Sequence, residues 1–144
     1  MKLVLSAVAS SHGLISFYTG LGDFNHCQLD GTISQLEFSS FGQPHDQSAC
    51  FVALSNHLIV MRGEDLRQSR LISFPHHIEK FAIFERQNLL VVFCQNSIIS
   101  VVTADFQQKK ILEPVKLRNI ALDGDSETIV LFYENDKVKI LDEL

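Results

Sequence analysis

The stretch LLVVFCQNSIISVV, residues 89–102, decides the fold class of this 144-residue chain. It places two short runs rich in Val, Ile and Phe on either side of the polar segment CQNS. Runs of this length and composition are typical of β-strands. An Asn between two such runs favours a tight turn, because Asn tolerates left-handed backbone conformations. The stretch therefore predicts a β-hairpin with Asn96 in its turn.

The same pattern recurs along the chain. Asn56 lies in FVALSNHLIVM and Asn135 lies in TIVLFYENDKVKIL, so that the three Asn residues are separated by 40 and 39 residues. The apolar runs before these turns keep the same step, starting at Phe51, Leu90 and Ile129. A period near 40 residues with several short strands per period is typical of propeller blades. We therefore predict an all-β fold of repeated four-stranded antiparallel blades, a partial β-propeller.

Each period divides into four strands, named a, b, c and d. The predicted units are residues 1–30, 31–75, 76–114 and 115–144, all within a single domain, residues 1–144. The third unit is the clearest, with strands at Ile78–Phe84, Asn88–Phe93, Ser97–Val102 and Lys109–Leu112. The first unit lacks strand a and turns from b to c at His12-Gly13, and the last unit lacks strand d. Residues 64–69 (EDLRQS) are interpreted as the loop between c and d of the second unit.

Two stretches carry a resemblance to a known family. IEKFAIFERQNLLVVFCQNSIISVVT resembles the a–b–c run of the WD-repeat family of β-propellers, and DKVKILDEL is similar to the place where such a repeat ends its c strand. The chain has no Trp, and Leu141-Asp142 and Val102-Thr103 stand where that family has its Trp-Asp pair. Phe74-Pro75-His76-His77 stands where the family has its Gly-His pair. The resemblance implies a propeller-like fold over residues 30 to 144, without the family's hydrogen-bond network.

Composition and charge bound the function. The formal net charge is −5, from 17 acidic and 12 basic residues, which argues against an electrostatic grip on nucleic acid or on an anionic membrane. No stretch reaches the roughly 20 apolar residues of a membrane span. Cys27, Cys50 and Cys94 are odd in number and widely spaced, which predicts buried free thiols. We expect an intracellular protein of the cytoplasm or nucleus.

The sequence motifs do not point to catalysis. GxSxG, P-loop, HExxH and dinucleotide-binding patterns are all missing from the sequence. His76 and His77 are adjacent, and neighbours on an extended strand point to opposite faces, so they cannot jointly chelate a metal if extended. The acidic run at residues 123–127 is interpreted as a polar hairpin loop. We therefore predict no enzymatic activity, no cofactor and no metal site.

Binding residues are predicted from loop positions. In a WD-like propeller the b–c and d–a loops share one end of the blades, and loops on a rigid scaffold are disproportionately functional. Candidate partner-binding residues at this end are Asn56, His76, His77 and Asn96. Phe106, an aromatic in the polar c–d loop at the other end, is either a partner anchor or a local packing residue.

Three and a half blades leave strand edges and apolar blade faces open, which predicts that something covers them. A partner chain, a second copy or the remainder of a longer protein could do so. The leading hypothesis is a non-catalytic protein–protein interaction or scaffold module within a multiprotein complex. The alternative is a propeller that binds a small ligand or sugar and is assembled from identical chains.

Overall fold

A computed structural model of the chain describes residues 4–10, 12–19, 24–44, 47–62, 67–111 and 116–144. Within these ranges fourteen β-strands form four antiparallel sheets, each built from strands that are consecutive in sequence. The predicted all-β fold of antiparallel blades is therefore confirmed. No helix in the described part of the chain is long and apolar enough to cross a membrane.

The four sheets are named blades 1 to 4 in chain order. Blade 1 contains β1 (Val4–Ala9), β2 (Leu14–Thr19) and β3 (Phe24–Gln28). Blade 2 contains β4 (Ile33–Ser39), β5 (Ala49–Leu54), β6 (His57–Arg62) and β7 (Arg67–Ser73). Blade 3 contains β8 (Ile78–Phe84), β9 (Leu89–Cys94), β10 (Ile98–Thr103) and β11 (Gln108–Ile111). Blade 4 contains β12 (Leu117–Asp123), β13 (Thr128–Tyr133) and β14 (Val138–Leu141).

One predicted loop belongs partly to a strand. Strand β7 begins at Arg67, so residues 67–69 of the predicted c–d loop continue the ladder, and residues 64–66 lie outside the described residues. The ladder pairs Arg62 with Arg67 and Met61 with Gln68. Ser69 Oγ donates a hydrogen bond to Val60 O at 3.0 Å, beside a register shift between Val60 and Met61. A polar segment can thus form a rim strand, because an edge strand needs no apolar face.

The three strands of blade 1 correspond to b, c and d, as predicted. Leu29 N donates to Gly13 O at 2.8 Å, and in blade 2 Phe74 N donates to Asn56 O at 2.9 Å. Both bonds join the b–c turn to the residue that follows the third of these strands. Gly13 of blade 1 is therefore equivalent to Asn56 of blade 2.

Strand a has the same irregularity in blades 2, 3 and 4. Its register against strand b shifts near its start, between Ile33 and Gln35, between Ile78 and Lys80, and between Leu117 and Asn119. Such a bulge increases local twist and redirects the strand. The recurrence shows that the blades repeat in backbone geometry as well as in sequence period.

The a strands of neighbouring blades are joined by side-chain to backbone bonds. Gln35 Nε2 donates to Phe81 O at 2.8 Å and Gln35 Oε1 accepts from Phe81 N at 2.9 Å. At the equivalent position of blade 3, Lys80 Nζ donates to Ile120 O. These bonds satisfy backbone groups of strand a that have no strand partner on that side.

The core lies between consecutive blades. One apolar cluster joins blades 1 and 2, a second joins blades 2 and 3, and a third joins blades 3 and 4. Each blade therefore has a forward face, which is turned towards the next blade, and a back face, which is turned towards the preceding one. Because side chains alternate along a strand, both faces of the central strands of blades 2 and 3 are mostly apolar and buried.

Strand pairing refines the repeat by one residue. Phe51, Val91 and Val130 are equivalent residues of strand b in blades 2, 3 and 4. Their cross-strand partners are the equivalent residues of strand c, namely Val60, Val101 and Ile140. The periodic apolar pattern aligned Phe51 with Leu90 instead, which lies on the opposite face. The short 3-10 helix Gln95–Ser97 then adds one residue to the b–c turn, relative to the two-residue turn of blade 2, so that Leu58 corresponds to Ile99 in strand c.

Candidate interaction faces

The b–c turns and d–a loops lie at the same end of the blades, and this end is named the b–c face. In three blades the residue before strand a accepts a backbone hydrogen bond from the start of the b–c turn. The bonds are Ser55 N to Thr32 O at 3.2 Å, Gln95 N to His77 O at 2.9 Å and Glu134 N to Lys116 O at 3.1 Å. Asn56, His76, His77 and Asn96 therefore share one end of the molecule.

Asn56 stabilises this end through hydrogen bonds to Phe74. Its Nδ2 donates to Phe74 O at 3.0 Å and its backbone O accepts from Phe74 N at 2.9 Å. The neighbouring Ser55 O accepts from Ile78 N at 2.8 Å, which ties the turn of blade 2 to the first strand of blade 3. Asn56 is half-buried. Its amide thus orders the loops that carry the other candidate residues.

The left-handed residues of the three b–c turns are not the Asn residues that the sequence indicated. Positive φ occurs at Ser55 (55°), Ser97 (61°) and Asp136 (66°). The expectation that the Asn residues take the left-handed conformation is therefore wrong. In the b–c turn of blade 2 the side-chain amide of Asn56 donates to Phe74 O, and Ser55 takes the left-handed conformation.

His76 and His77 follow the exposed Pro75 in the d–a loop between blades 2 and 3, and both side chains are half-buried. His77 accepts at its carbonyl from Gln95 N. His57, at the start of β6, pairs through Nδ1 with Ser73 Oγ at 3.0 Å. This part of the b–c face therefore presents imidazole and hydroxyl groups on a backbone that is fixed by hydrogen bonds.

Phe106 lies at the opposite end, named the a–b face, where it packs within the molecule. Its ring meets Phe41 edge-on with centroids 6.0 Å apart, and the Arg70 guanidinium carbon lies 4.3 Å from its centroid. It is partly buried against the cluster between blades 2 and 3 and has φ 63°. A cation and an aromatic edge hold one ring in place. These contacts are local packing, and a role as partner anchor stays a prediction.

The a–b face also holds a buried carboxylate that joins blades 3 and 4. Glu127 Oε2 accepts from Arg86 N at 2.9 Å and from Arg86 Nε at 2.8 Å, while Oε1 accepts from Gln87 N at 2.9 Å. The side chain of Glu127 is 3% exposed. Gln87 also bonds Asp142 O at 3.2 Å and Leu144 N at 3.0 Å. The sequence predicted a polar hairpin loop at Glu127 but not these hydrogen bonds, which are named the Glu127 clasp.

The clasp keeps Glu127 ionised. Burial alone would raise the pKa of Glu127, but hydrogen bonds from the Arg86 side chain and from the backbone amides of Gln87 and Arg86 outweigh it. The pKa therefore lies below its ordinary value of 4.5. Because the folded state binds the proton less tightly than the unfolded state, the resulting stability is present above pH 4.5. It is lost as the pH falls through the lowered pKa.

Glu127→Gln is expected to lower the melting temperature at pH 7, because an amide brings a donor to a position that faces three donors. The difference from the wild-type chain should shrink as the pH falls below 4.5, since the wild-type carboxylate then protonates. Thermal denaturation from pH 3 to pH 7 measures both effects. Glu134→Gln is the control, because Glu134 and Lys116 are exposed and 3.6 Å apart. A pH-independent difference would contradict the role of the charge.

Two cavities open between the blades on the a–b side. One has a volume of about 410 Å³ and is lined by Ser40, Phe41, Gly42, Gln43, Glu85, Asn88 and Ala104. The other has about 280 Å³ and is lined by Glu37, Ile83, Glu85, Arg86, Gly124, Asp125 and Glu127.

Burial raises the pKa of Glu37, with smaller raising effects from Asp125 and Glu85 and an opposing hydrogen bond from Gln35. Within the described residues, no group of three His, Cys, Asp or Glu side chains could hold a metal ion.

The three cysteines are free thiols. Cys50 and Cys94 are buried, as predicted, and Cys27 is half-buried. Burial raises the pKa of Cys50 to about 12 and that of Cys94 to about 11. Because the thiolate is the reactive form, these two side chains act as small apolar core residues.

Solved structures share this arrangement of sheets. BBS1N, in a crystal structure of its complex with ARL6DN, matches 96% of this chain with a TM-score of 0.66 and 17% sequence identity. A second crystal of that complex matches 97% with the same TM-score and 14% identity. This chain has a β-propeller fold. A luciferin-regenerating enzyme matches 92% of the chain with a TM-score of 0.54 and 11% identity.

The likeness to these β-propellers concerns the fold alone. The chain spans about half the length of each, namely 46%, 49% and 50%. The sequence matches no family model and no curated protein. These neighbours include both a protein in a complex and an enzyme, so the function must be inferred from the surface of this chain.

Proposed function

We propose that this β-propeller chain is a non-catalytic protein–protein interaction module and acts as a subunit of a multiprotein complex. Residues 1–144 would form a single WD-repeat-like domain that works inside the cell, in the cytoplasm or nucleus. The proposed contact surface is the b–c face, with Asn56, His76, His77 and Asn96. Phe106 is proposed as a second contact on the a–b face through the exposed part of its ring.

The bonding of the b–c face carries this proposal. Three equivalent backbone bonds, from Ser55, Gln95 and Glu134, fix the b–c turns against the loops before strand a. The Asn56 amide adds a side-chain bond across the same region. Loops held in this way lose little conformational entropy when a partner binds, which favours recognition of a protein surface. BBS1N, a propeller of similar fold, was crystallised in complex with ARL6DN.

The proposal is tested with tagged residues 1–144 and a His76→Ala/His77→Ala double variant. We expect a protein partner to be recovered in a fixed ratio with the wild-type chain. The double variant should lose at least about 10-fold in affinity, which corresponds to 1.4 kcal/mol. Quantitative mass spectrometry of the captured material, followed by a binding titration with the purified partner, measures the loss.

Gln107→Ala is the matched control, because Gln107 is an exposed residue of the c–d turn at the opposite end of blade 3. Gln107→Ala should retain the partner. The comparison requires that both variants have melting temperatures within about one degree of the wild-type chain. Equal recovery with the double variant would contradict the b–c face as the contact surface. Recovery of a small molecule and no protein would favour a ligand-binding propeller.

A further inference from the structure

Blade 3 buries the apolar centre of its forward face under blade 4. The side chains of this face alternate along β8, β9 and β10, and each is at most 7% exposed: Ala82, Phe84, Val91, Phe93, Ile99 and Val101. They pack against the back face of blade 4, which includes Ile120, Ile129, Leu131 and Tyr133. The forward face of blade 2 is buried in the same way beneath blade 3, at Phe51, Ala53, Leu58 and Val60.

Blade 4 carries the same surface again. Strand pairing aligns its forward face, position by position, with that of blade 3. Three of the paired positions hold identical residues: Ala82 and Ala121, Val91 and Val130, Phe93 and Phe132. Val138 and Ile140 take the positions of Ile99 and Val101. The apolar centre of the surface that the back face of blade 4 contacts on blade 3 is therefore repeated on blade 4, whereas Asp123 and Thr128 replace Phe84 and Leu89 at the a–b end.

The two surfaces differ in exposure. Phe132, Val138 and Ile140 are 37%, 56% and 64% exposed, whereas their counterparts in blade 3 are 5%, 0% and 7% exposed. Within the described residues β14 is the outer strand of blade 4 and pairs only with β13. In blades 2 and 3 the equivalent strand pairs with a fourth strand on that side. An apolar face and a strand edge are thus open side by side.

We propose that the forward face of blade 4 docks a further blade-type antiparallel β-sheet. Its partner presents a back face of branched aliphatic and aromatic side chains, as blade 4 presents to blade 3, and adds a strand to the edge of β14. Continuity with the three blade interfaces already formed is the basis of this assignment. It deepens the proposed function by naming the chemistry of one partner surface, and it does not depend on the b–c face.

A second copy of the chain stacked head to tail fits this face less well. It would bring the back face of blade 1, where Ser16 Oγ and His26 Nδ1 are hydrogen-bonded at 2.9 Å. Ser16 stands at the position that Ile59 holds on the back face of blade 2. Covering a polar pair with Phe132 and Val138 would desolvate it. The Ser16–His26 pair therefore favours, as the occupant, a blade-type sheet other than blade 1 of a second copy.

The test extends the chain by one repeat. A copy of residues 106–144 is fused after Leu144, so that the added segment continues the 39-residue step and presents the back face of blade 4 as the probe. Phe132→Trp in the original blade 4 supplies a reporter, because the chain has no Trp of its own. We expect the emission of this Trp to move to shorter wavelength, and its quenching by acrylamide to fall several-fold, relative to Phe132→Trp in residues 1–144.

The control extension carries Ile120→Asp and Leu131→Asp in the added copy only, and it should leave the Trp exposed. Amide hydrogen exchange reports whether the added strands are ordered. An added copy that is ordered while the Trp stays exposed would overturn the proposal. An added copy whose amides stay unprotected from exchange, although the forward face of blade 4 is intact, would also overturn it. A blue shift in residues 1–144 alone that follows a doubling of solution mass would also overturn it, because a second copy would then be the occupant. Each result is independent of partner capture through His76 and His77.

Discussion

Phe93→Ala is expected to lower the free energy of unfolding by about 3–5 kcal/mol, the usual range for a large aromatic side chain removed from a core. Phe93 is 5% exposed and lies in the cluster between blades 3 and 4. The substitution removes apolar burial and leaves a cavity between two close-packed sheets. The surrounding side chains relax into this cavity only in part. Urea denaturation followed by far-ultraviolet circular dichroism measures the change.

Phe132→Ala is the matched control, because Phe132 holds the same repeat position on blade 4 and is 37% exposed. We expect it to lower the free energy of unfolding by at most about 1 kcal/mol, since less of its surface leaves water on folding. The contrast between the two variants isolates the contribution of a covering blade. Equal losses at both positions would mean that blade 4 is already covered, and would contradict the open forward face.

Gly13→Ala is expected to have the second largest effect, about 2–4 kcal/mol, from a strained backbone together with an overlap that must be relieved. Gly13 has φ +89°, and a Cβ built there would lie 2.1 Å from Leu29 O and 2.9 Å from Gly31 O. Both contacts are backbone atoms, so the b–c turn of blade 1 would have to move away from the loop that leads into blade 2. Thermal and urea denaturation of the variant measure the loss.

Gly31→Ala is the comparison for this prediction. Gly31 has φ +138°, but its nearest neighbours are the side chains of Leu54 and Ser55 at 3.2 Å, which can shift. We expect a smaller loss, about 1–2 kcal/mol, from the left-handed conformation alone. A Gly13→Ala variant as stable as Gly31→Ala would show that the turn of blade 1 is not held against Leu29.

The strands were predictable because each is a short apolar run between polar turns. Ile78–Phe84 has the predicted bounds, and the hairpin at His12-Gly13 forms. A continuous apolar run such as LLVVFC, residues 89–94, indicates burial on both faces, so it identifies strands that are covered on both sides. It says less about rim strands such as Arg67–Ser73, whose side chains are mostly exposed.

The register of the repeat and the clasp between blades could not be predicted. The 3-10 helix Gln95–Ser97 adds one residue to a turn, and an apolar run such as LLVVF offers two alignments that differ only by the face they present. The bonds of Glu127 to Arg86 and of Gln35 to Phe81 join residues 41 and 46 positions apart. Such contacts depend on the angle between blades, which local sequence does not specify. The acidic run at residues 123–127 therefore indicated a polar hairpin loop and not a bond between blades.

Hydroxyl-radical footprinting of the unmodified chain, read by peptide mass spectrometry, tests the blade arrangement most directly. It compares the oxidation rate of Phe132, Val138 and Ile140 with that of their repeat counterparts Phe93, Ile99 and Val101. We expect fast oxidation of the first set and protection of the second, because blade 4 covers blade 3 while its own forward face is open. Equal oxidation of the two sets would contradict both the stacking of the blades and the docking face inferred from it.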